Sequence, residues 1–196
     1  GQAAAIACDL ASAQEVELLI PRCAGMLGPP TCLVNNASEF LLDTAETMTV
    51  ASWDRHMDVN LRAPVLLARA LAAGLPEGAD GNVINIIDQR VWKLTPEFFS
   101  YTISKAGLWT ATRTLAQALA PRVRVNAIGP GPVLRSVHQT EADFAAECGS
   151  TLLQRGTSPA EVAAAVGFIL SAPAMTGQMI ALDGGQHLTW CSDAPS

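Results

Sequence analysis

Residues 81–88 read Gly-Asn-Val-Ile-Asn-Ile-Ile-Asp, and this stretch indicates the architecture of the chain more strongly than any other. A short β-branched, apolar run that ends in an acidic residue is typical of a strand buried in a parallel sheet. Asp88 would then stand at the carboxyl end of that strand, which is the edge where open α/β sheets bind their ligands. The stretch therefore predicts both a fold class and the position of a site.

On either side of this stretch, strand-like and helix-like segments alternate along the chain. Strands are predicted near 3–8, 31–35, 82–87, 123–128 and 179–182. Helices are predicted near 13–27, 51–74, 99–120 and 159–171. The last helix has a clear start, with Ser158 as cap, Pro159 at the first helical position and Glu161 three residues after the cap. This alternation predicts an α/β domain, a parallel sheet covered on both faces, over residues 1–196.

Tyr101 and Lys105 form the pair with the clearest chemistry. Side chains four residues apart on a helix share a face, with Cβ atoms about 5–6 Å apart. A lysine held near a phenol favours the phenolate, so we expect the pKa of Tyr101 to fall from its usual ~10 and the residue to serve as a proton donor. Asp88 precedes Tyr101 by thirteen residues and would join them. The alternatives are a solvated helix face for the pair and a cap or turn role for Asp88.

Composition excludes several classes of protein. The net charge of −6 argues against binding to nucleic acid or to an anionic membrane surface, and no apolar stretch reaches the ~18 residues of a membrane span. Five widely spaced cysteines, at 8, 23, 32, 148 and 191, fit a reducing compartment better than a disulfide framework. No metal site is expected, because the histidines at 56, 138 and 187 have no partners at ligand spacing and are predicted to be surface or core residues.

Five motifs occur in the order typical of one family. They are Asn35-Asn36-Ala37, Asn60 within 57–61, Tyr101-Thr102-Ile103-Ser104-Lys105, the run 124–131 with Pro130-Gly131 at its end, and Leu182-Asp183-Gly184-Gly185. Together they resemble the short-chain dehydrogenase/reductase family. The resemblance implies a Rossmann-like doubly wound parallel sheet, a cytoplasmic enzyme that uses a nicotinamide cofactor on a small molecule, and a homo-oligomer, either dimer or tetramer.

Two departures from the family pattern narrow the resemblance. Asp88 stands where most members have serine, and Ser38 stands where most have glycine, with Phe40 two residues later. Both changes resemble the pteridine reductases and the dihydromonapterin reductases. In that subgroup the aspartate partners the catalytic tyrosine, and the phenylalanine stacks a pterin ring against the nicotinamide. Offset stacking on a phenyl face and paired hydrogen bonds to a carboxyl group both suit such a ring. Phe40 could instead be a core or rim residue.

The resemblance also implies a role for each matching residue. The catalytic residues would be Asp88, Tyr101, Lys105 and Asn60, the last kinking its helix and holding a water on the proton relay. The NADPH contacts would be Asp9, Leu10, Asn36, Ala37, Ser38, Tyr101, Lys105, Pro130 and Gly131. The substrate contacts would be Ser38, Phe40, Asp88 and Tyr101. Residues 132–157 would be the mobile substrate-binding loop with its short helices. Trp92, Phe98 and Phe99 could line the pocket mouth or cover the start of a helix.

One part of the family pattern has no counterpart. The family begins with a strand, a T-G-x-x-x-G-x-G turn and a helix that holds the cofactor pyrophosphate, whereas residues 3–10 already resemble its third strand. We therefore expect a sheet without its first two strands, with unpaired edges and exposed apolar surface, and weak binding of NADPH.

Three functions follow from these observations. The first is a pterin-reducing enzyme, which Asp88, Ser38 and Phe40 favour. The second is a carbonyl reductase of the same family that acts on a ketone or a sugar, in which Asp88 would be an incidental replacement of serine. The third is an inactive chain that does not bind cofactor.

Overall fold

A single parallel sheet organises the computed structural model, which describes residues 1–190. Cys191 lies outside the described residues. The strands are β1 (Cys32–Asn35), β2 (Gly81–Ile86), β3 (Val123–Pro130) and β4 (Met179–Leu182), in the order β1-β2-β3-β4 with every neighbouring pair parallel. The predicted α/β class and these four predicted strands are confirmed.

The strand predicted at 3–8 is wrong. Residues 1–9 have no regular secondary structure, and within the described residues the sheet ends at β1, which pairs only with β2. A strand needs a neighbour to accept and donate its backbone hydrogen bonds. Among the described residues no strand pairs with residues 3–8, and β1 pairs with β2 alone. Cys8 instead packs against the helix that follows it. The expected open edge is therefore at β1, where Val34 is 41% exposed.

Six α-helices surround the sheet in the described part of the chain. They are α1 (Ala13–Leu27), α2 (Val50–Met57), α3 (Ala63–Gly74), α4 (Phe99–Leu119), α5 (Glu141–Gly149) and α6 (Pro159–Ser171). The predicted boundaries of α1, α4 and α6 are confirmed to within one residue, and Ser158 and Glu161 form the expected capping box at the start of α6. None of these helices is both long enough and apolar enough to cross a membrane.

The side chains of β2 and β3 explain why helices cover both faces. Successive residues of a strand point to opposite faces. Val83 packs with α3 and α4, in a cluster that includes Leu71 and Ala116. Its neighbour Ile84 packs with α6 around Ile169. All five residues are buried, so β2 has an apolar side chain on each face, as its sequence predicts.

The helix predicted over 51–74 contains a change of helical type. Between α2 and α3 the backbone forms a π-helical turn over Asp58–Arg62, and Asn60 in its middle is 1% exposed. Such single-turn π segments interrupt α-helices mostly at functional sites. The kink that the family resemblance implies at Asn60 therefore corresponds to this turn.

The segment predicted as a loop over 132–157 contains one helix, α5. Thr140 caps that helix, and the side chain of Asp143 accepts a hydrogen bond from the Thr140 backbone in return. The segment then passes through turns to Thr157, whose backbone N–H donates to the carbonyl of Pro132, so its two ends lie side by side.

Candidate active site

The candidate site is a cavity of about 980 Å³ at the carboxyl ends of the strands. Asn36 follows β1, Asp88 follows β2 and Pro130-Gly131 ends β3, and all of them line the cavity. Tyr101, from the first turn of α4, lines it as well. The position predicted from residues 81–88 is thus where the structure has its cavity, and three separate motifs meet there.

A hydrogen bond joins Asp88 and Tyr101. The phenol hydroxyl donates to Asp88 Oδ2 over 2.9 Å. The other carboxylate oxygen, Oδ1, accepts from the backbone N–H of Arg90 at 2.8 Å and caps a 3-10 turn over Gln89–Val91. The predicted cap role of Asp88 is confirmed, since one oxygen caps a turn and fixes the carboxylate. The other oxygen contacts the phenol, and a catalytic role for Asp88 stays a prediction.

Lys105 lies one helical turn after Tyr101, as its spacing predicts. Its Nζ donates to the carbonyl of Ile86 at 2.9 Å and lies 5.7 Å from the centre of the Tyr101 ring. The side chain is nearly inaccessible, with 2% of the residue exposed. Lys105 is therefore held at the end of β2 by the Ile86 carbonyl and lies over the tyrosine ring.

Burial dominates the electrostatics of these three groups. It raises the pKa of the Asp88 carboxyl and lowers the pKa of Lys105 to about 8. The pKa of Tyr101 is raised well above its ordinary value, first by burial and then by the adjacent Asp88 carboxylate. The expected fall in the pKa of Tyr101 is therefore wrong. The negative charge of Asp88 is within hydrogen-bond distance of the phenol oxygen, whereas the lysine contacts the ring.

The lowered pKa of Lys105 also affects stability. Between about 8 and its ordinary value of 10.5, this lysine binds fewer protons in the folded chain than in the unfolded chain. Its contribution therefore makes folding more favourable as the pH rises through that range, because burying the charged form is costly.

Aromatic rings form one wall of the cavity. Phe40 stacks on Phe98 with ring centres 4.2 Å apart and planes 6° apart, and it meets Tyr101 edge to face at 4.7 Å. The guanidinium of Arg90 lies 5.0 Å above Phe98 on the same wall. Of Trp92, Phe98 and Phe99, it is Phe98 that lines the cavity. Trp92 is 42% exposed and contacts Trp109.

Asn60 connects the 38–39 segment to α4. Its Oδ1 accepts from Ser38 Oγ at 3.1 Å and from the backbone N–H of Glu39 at 2.8 Å. Its Nδ2 donates to the Glu39 carbonyl and to Ser104 Oγ. Because Ser104 directly precedes Lys105, these bonds fix the chain before Phe40 relative to the Tyr101–Lys105 helix.

The structure brings together most of the residues that the sequence singles out. Those that line the cavity are Asn36, Phe40, Asp88, Tyr101, Pro130 and Gly131. Ser38, Asn60 and Lys105 lie directly behind them, bonded to or packed against lining segments. Asp9, Leu10 and Ala37 do not line the cavity. Asp9 instead accepts from the backbone of Ala11 at the start of α1, and a role in binding cofactor stays a prediction.

Sequence reasoning missed several lining residues because no motif marks them. They are Arg90, Glu97, His138, Asp143, Glu147 and Gln186, among others. His138, predicted as a surface or core histidine, is exposed but reaches the wall, where its Nε2 lies 3.1 Å from the carbonyl oxygen of Phe40. His187, expected to lack a carboxylate partner, pairs with Asp183 at 2.6 Å. Its spacing of four from Asp183 was the available signal.

Comparisons with known proteins agree with this geometry. A family model described as Enoyl-(Acyl carrier protein) reductase matches residues 1–187. A short-chain type dehydrogenase/reductase from Picea abies is 31% identical over 192 residues, covering 93% of this chain and 71% of the relative. A dihydromonapterin reductase from Klebsiella pneumoniae is 29% identical over 158 residues, covering 80% and 66%.

One solved structure is more similar in sequence to this chain than these two relatives are. The crystal structure of FolM Alternative dihydrofolate reductase 1 from Brucella suis, in complex with NADP, superposes with a TM-score of 0.93 at 50% identity, covering 96% of this chain and 75% of that one. Sequence, fold and site geometry therefore agree on one class. The chain belongs to the short-chain dehydrogenase/reductase family of oxidoreductases.

The first prediction concerns the ionisation of Tyr101, which is the only tyrosine in the chain. A spectrophotometric titration of phenolate absorbance should give a single pKa well above 10 in the native protein. Asp88→Asn should lower that pKa, because the variant removes the negative charge that opposes phenolate formation and keeps an oxygen that can accept the hydrogen bond.

Glu97→Gln is the matched control, since Glu97 also lines the cavity but does not contribute to the pKa of Tyr101. It should leave the titration unchanged. A native pKa at or below 10, with circular dichroism showing the protein still folded, would contradict the burial and charge argument.

Proposed function

We propose that the chain is an NADPH-dependent reductase whose substrate is a dihydropterin. The observation that carries this proposal is the hydrogen bond from Tyr101 to the Asp88 carboxylate beside the face of Phe40. That arrangement offers a proton donor, a group that can pair with a ring N–H and amino group, and a flat apolar surface within one cavity. The similarity to a dihydromonapterin reductase and to an NADP complex of an alternative dihydrofolate reductase supports it.

The residues at the carboxyl edge suit the nicotinamide end of such a cofactor, which would supply a hydride. A Cβ on Gly131 would lie 2.8 Å from Asp183 Cα, so only glycine allows this turn to lie against the next one and present bare backbone to the cavity. Asn36 lines the opposite side, after β1. Lys105, behind the tyrosine, is the cation best placed for a ribose hydroxyl.

The proton needed for reduction of a C=N bond comes from Tyr101 in this proposal. A bound nicotinamide would supply the hydride to the ring carbon; as the C=N π electrons move to nitrogen, the Tyr101 phenol would transfer its proton to that nitrogen. In this proposal the resulting phenolate is stabilised by the charged form of Lys105, which is 5.7 Å from the ring, and it regains a proton along its hydrogen bond to Asp88. The raised pKa of Tyr101 keeps the phenol protonated until substrate arrives.

In this proposal, aromatic stacking on Phe40 and hydrogen bonds to the Asp88 carboxyl group let the site distinguish pterins from ordinary carbonyl substrates. A ketone or a sugar has no extended ring to stack on Phe40 and no paired N–H and amino group for Asp88. Phe98 covers one face of Phe40 at 4.2 Å, so in this proposal a substrate ring stacks on Phe40 at its other face.

Tyr101→Phe should remove the proton donor and leave cofactor affinity unchanged. General acid contributions are about 10²–10⁴ in rate, so turnover of a dihydropterin should fall on that scale. The NADPH dissociation constant, measured by calorimetry, should stay within about twofold, because the phenyl ring keeps the packing with Phe40. Turnover that survives within a factor of a few would rule out Tyr101 as the acid.

Asp88→Ser, which restores the usual family residue, should discriminate between the two substrate classes. Loss of the carboxyl removes its paired hydrogen bonds with the pterin, so kcat/KM should fall more for dihydropterin than for a simple ketone, by about tenfold to a hundredfold. Both substrates can be followed through NADPH consumption. Equal losses would favour a carbonyl reductase in which the aspartate has no pterin-specific role, and no binding of NADPH by the wild-type chain would favour an inactive chain.

A further inference from the structure

Three buried polar side chains outside the cavity form a connected chain of hydrogen bonds. Asp43, His56 and Ser100 are 3%, 0% and 0% exposed. They come from the segment after Phe40, from α2 and from the first turn of α4. A buried polar group is costly unless its hydrogen bonds are made, so the position of each of these three fixes the positions of the others.

Asp43 caps the helix that carries Tyr101. The cap residue of α4, Phe98, has a left-handed backbone (φ 53°) and offers no side-chain hydrogen bond. Asp43, which lies 57 residues before Ser100 in the sequence, caps the helix instead. Its Oδ1 accepts from Ser100 N at 3.0 Å, its backbone carbonyl accepts from Phe99 N at 3.1 Å, and its Oδ2 accepts from Ser100 Oγ. A carboxylate at the amino end of a helix is favourable for both the free N–H groups and the helix dipole.

His56 connects the same helix start to the segment of Phe40. Its Nε2 lies 3.1 Å from the backbone nitrogen of Leu41, which can only donate, so the proton of the neutral ring is on Nδ1. Nδ1–H then donates to Ser100 Oγ over 2.7 Å. Burial, the largest effect, lowers the pKa of His56; Asp43 and Glu39 raise it to a smaller extent, and Lys105 lowers it least of all. The neutral tautomer is therefore the one that this geometry needs.

Serine, histidine and aspartate together also make a nucleophilic triad in hydrolases, but this arrangement is different. In such a triad the carboxylate orients the histidine and the histidine activates the serine. Here the carboxylate accepts from the serine itself, the far nitrogen of His56 accepts a backbone amide, and Ser100 is fully buried. The cluster therefore has no access to a substrate.

The cluster connects two residues that are adjacent in sequence to residues of the cavity wall. Leu41 directly follows Phe40, and Ser100 directly precedes Tyr101. The rings of Phe40 and Tyr101 have centres 4.7 Å apart and planes at 78° to each other. The His56 ring lies edge-on to Tyr101 at 5.9 Å. Any loosening of the cluster would change how far the stacking surface stands from the proton donor.

We propose that Asp43, His56 and Ser100 are positioning residues that hold Phe40 against Tyr101 and so set the distance between the stacked substrate ring and its proton donor. The part that concerns catalysis rests on the proposed function, whereas the part that concerns ring geometry does not. Sites that place reacting groups this closely lose about 10²-fold in rate when one of them shifts by 1 Å.

Ser100→Ala and His56→Phe test the proposal with two independent readouts. Because Tyr101 is the only tyrosine, labelling tyrosine with ¹³C gives one ring signal whose shift against pH reports its pKa. Both variants should admit water to the phenol and lower that pKa by about 1. With NADPH and a dihydropterin, both should lower kcat/KM by about tenfold or more, through kcat as well as KM, because the donor is intact but no longer held at the right distance from the ring.

Thr112→Val is the matched control, because Thr112 is equally buried on the same helix and bonds Asn85 and Leu108 away from the site. It should lower the melting temperature without moving the Tyr101 signal or KM. His56→Gln, whose amide can accept from Leu41 and donate to Ser100, should restore both readouts in part.

The outcomes separate the two proposals. If Ser100→Ala and His56→Phe fold but behave like Thr112→Val, the cluster only stabilises the fold and the positioning role is wrong. If the Tyr101 pKa shifts as expected while the wild-type chain reduces no pterin, the proposed function fails and the positioning role stands. Should Ser100→Ala fail to fold, His56→Phe alone decides, since it leaves the Asp43 cap on α4 intact.

Discussion

The hydrogen bond between Tyr101 and Asp88 is the interaction on which the rest of the site depends. It joins a phenol on the first turn of α4 to a carboxylate at the end of β2 over 2.9 Å, so it holds only if that helix and that strand keep their relative positions. Burial and the carboxylate together keep the phenol protonated. A proton donor that retains its proton until a substrate nitrogen becomes basic is suited to reduction of a C=N bond.

The fold keeps that geometry through several layers of contact. Alternate residues of β2 pack against helices on both faces of the sheet, which fixes the strand. The start of α4 has no cap in its own sequence, and Asp43 supplies one from a distant segment. Asn60, in the π-helical turn, bonds to both Glu39 and Ser104. The aromatic wall and α4 are thus connected by polar groups that do not themselves line the cavity.

Local patterns predicted much of this and could not predict the rest. Apolar runs predicted four of the strands, and the Ser158 cap predicted the start of α6. The spacing of Tyr101 and Lys105 predicted that they share one face of a helix. The strand at 3–8, an alanine-rich apolar run, failed because such a run forms a strand only where a neighbour can pair with it. The direction of the Tyr101 pKa shift failed because spacing does not tell which end of a phenol a lysine faces. The Asp43 cap joins residues 57 positions apart, and no local signal marks such a contact.

We propose that this cavity delivers a hydride and a proton across a C=N bond of a dihydropterin. The most direct measurement incubates the wild-type chain with a dihydropterin and NADPH deuterated at the nicotinamide C4 position, followed by mass spectrometry of the product. We expect one tetrahydropterin for each NADPH consumed, with one deuterium on a ring carbon. A pterin that remains unreduced, while the same preparation transfers deuterium to a ketone or a sugar, would contradict the account.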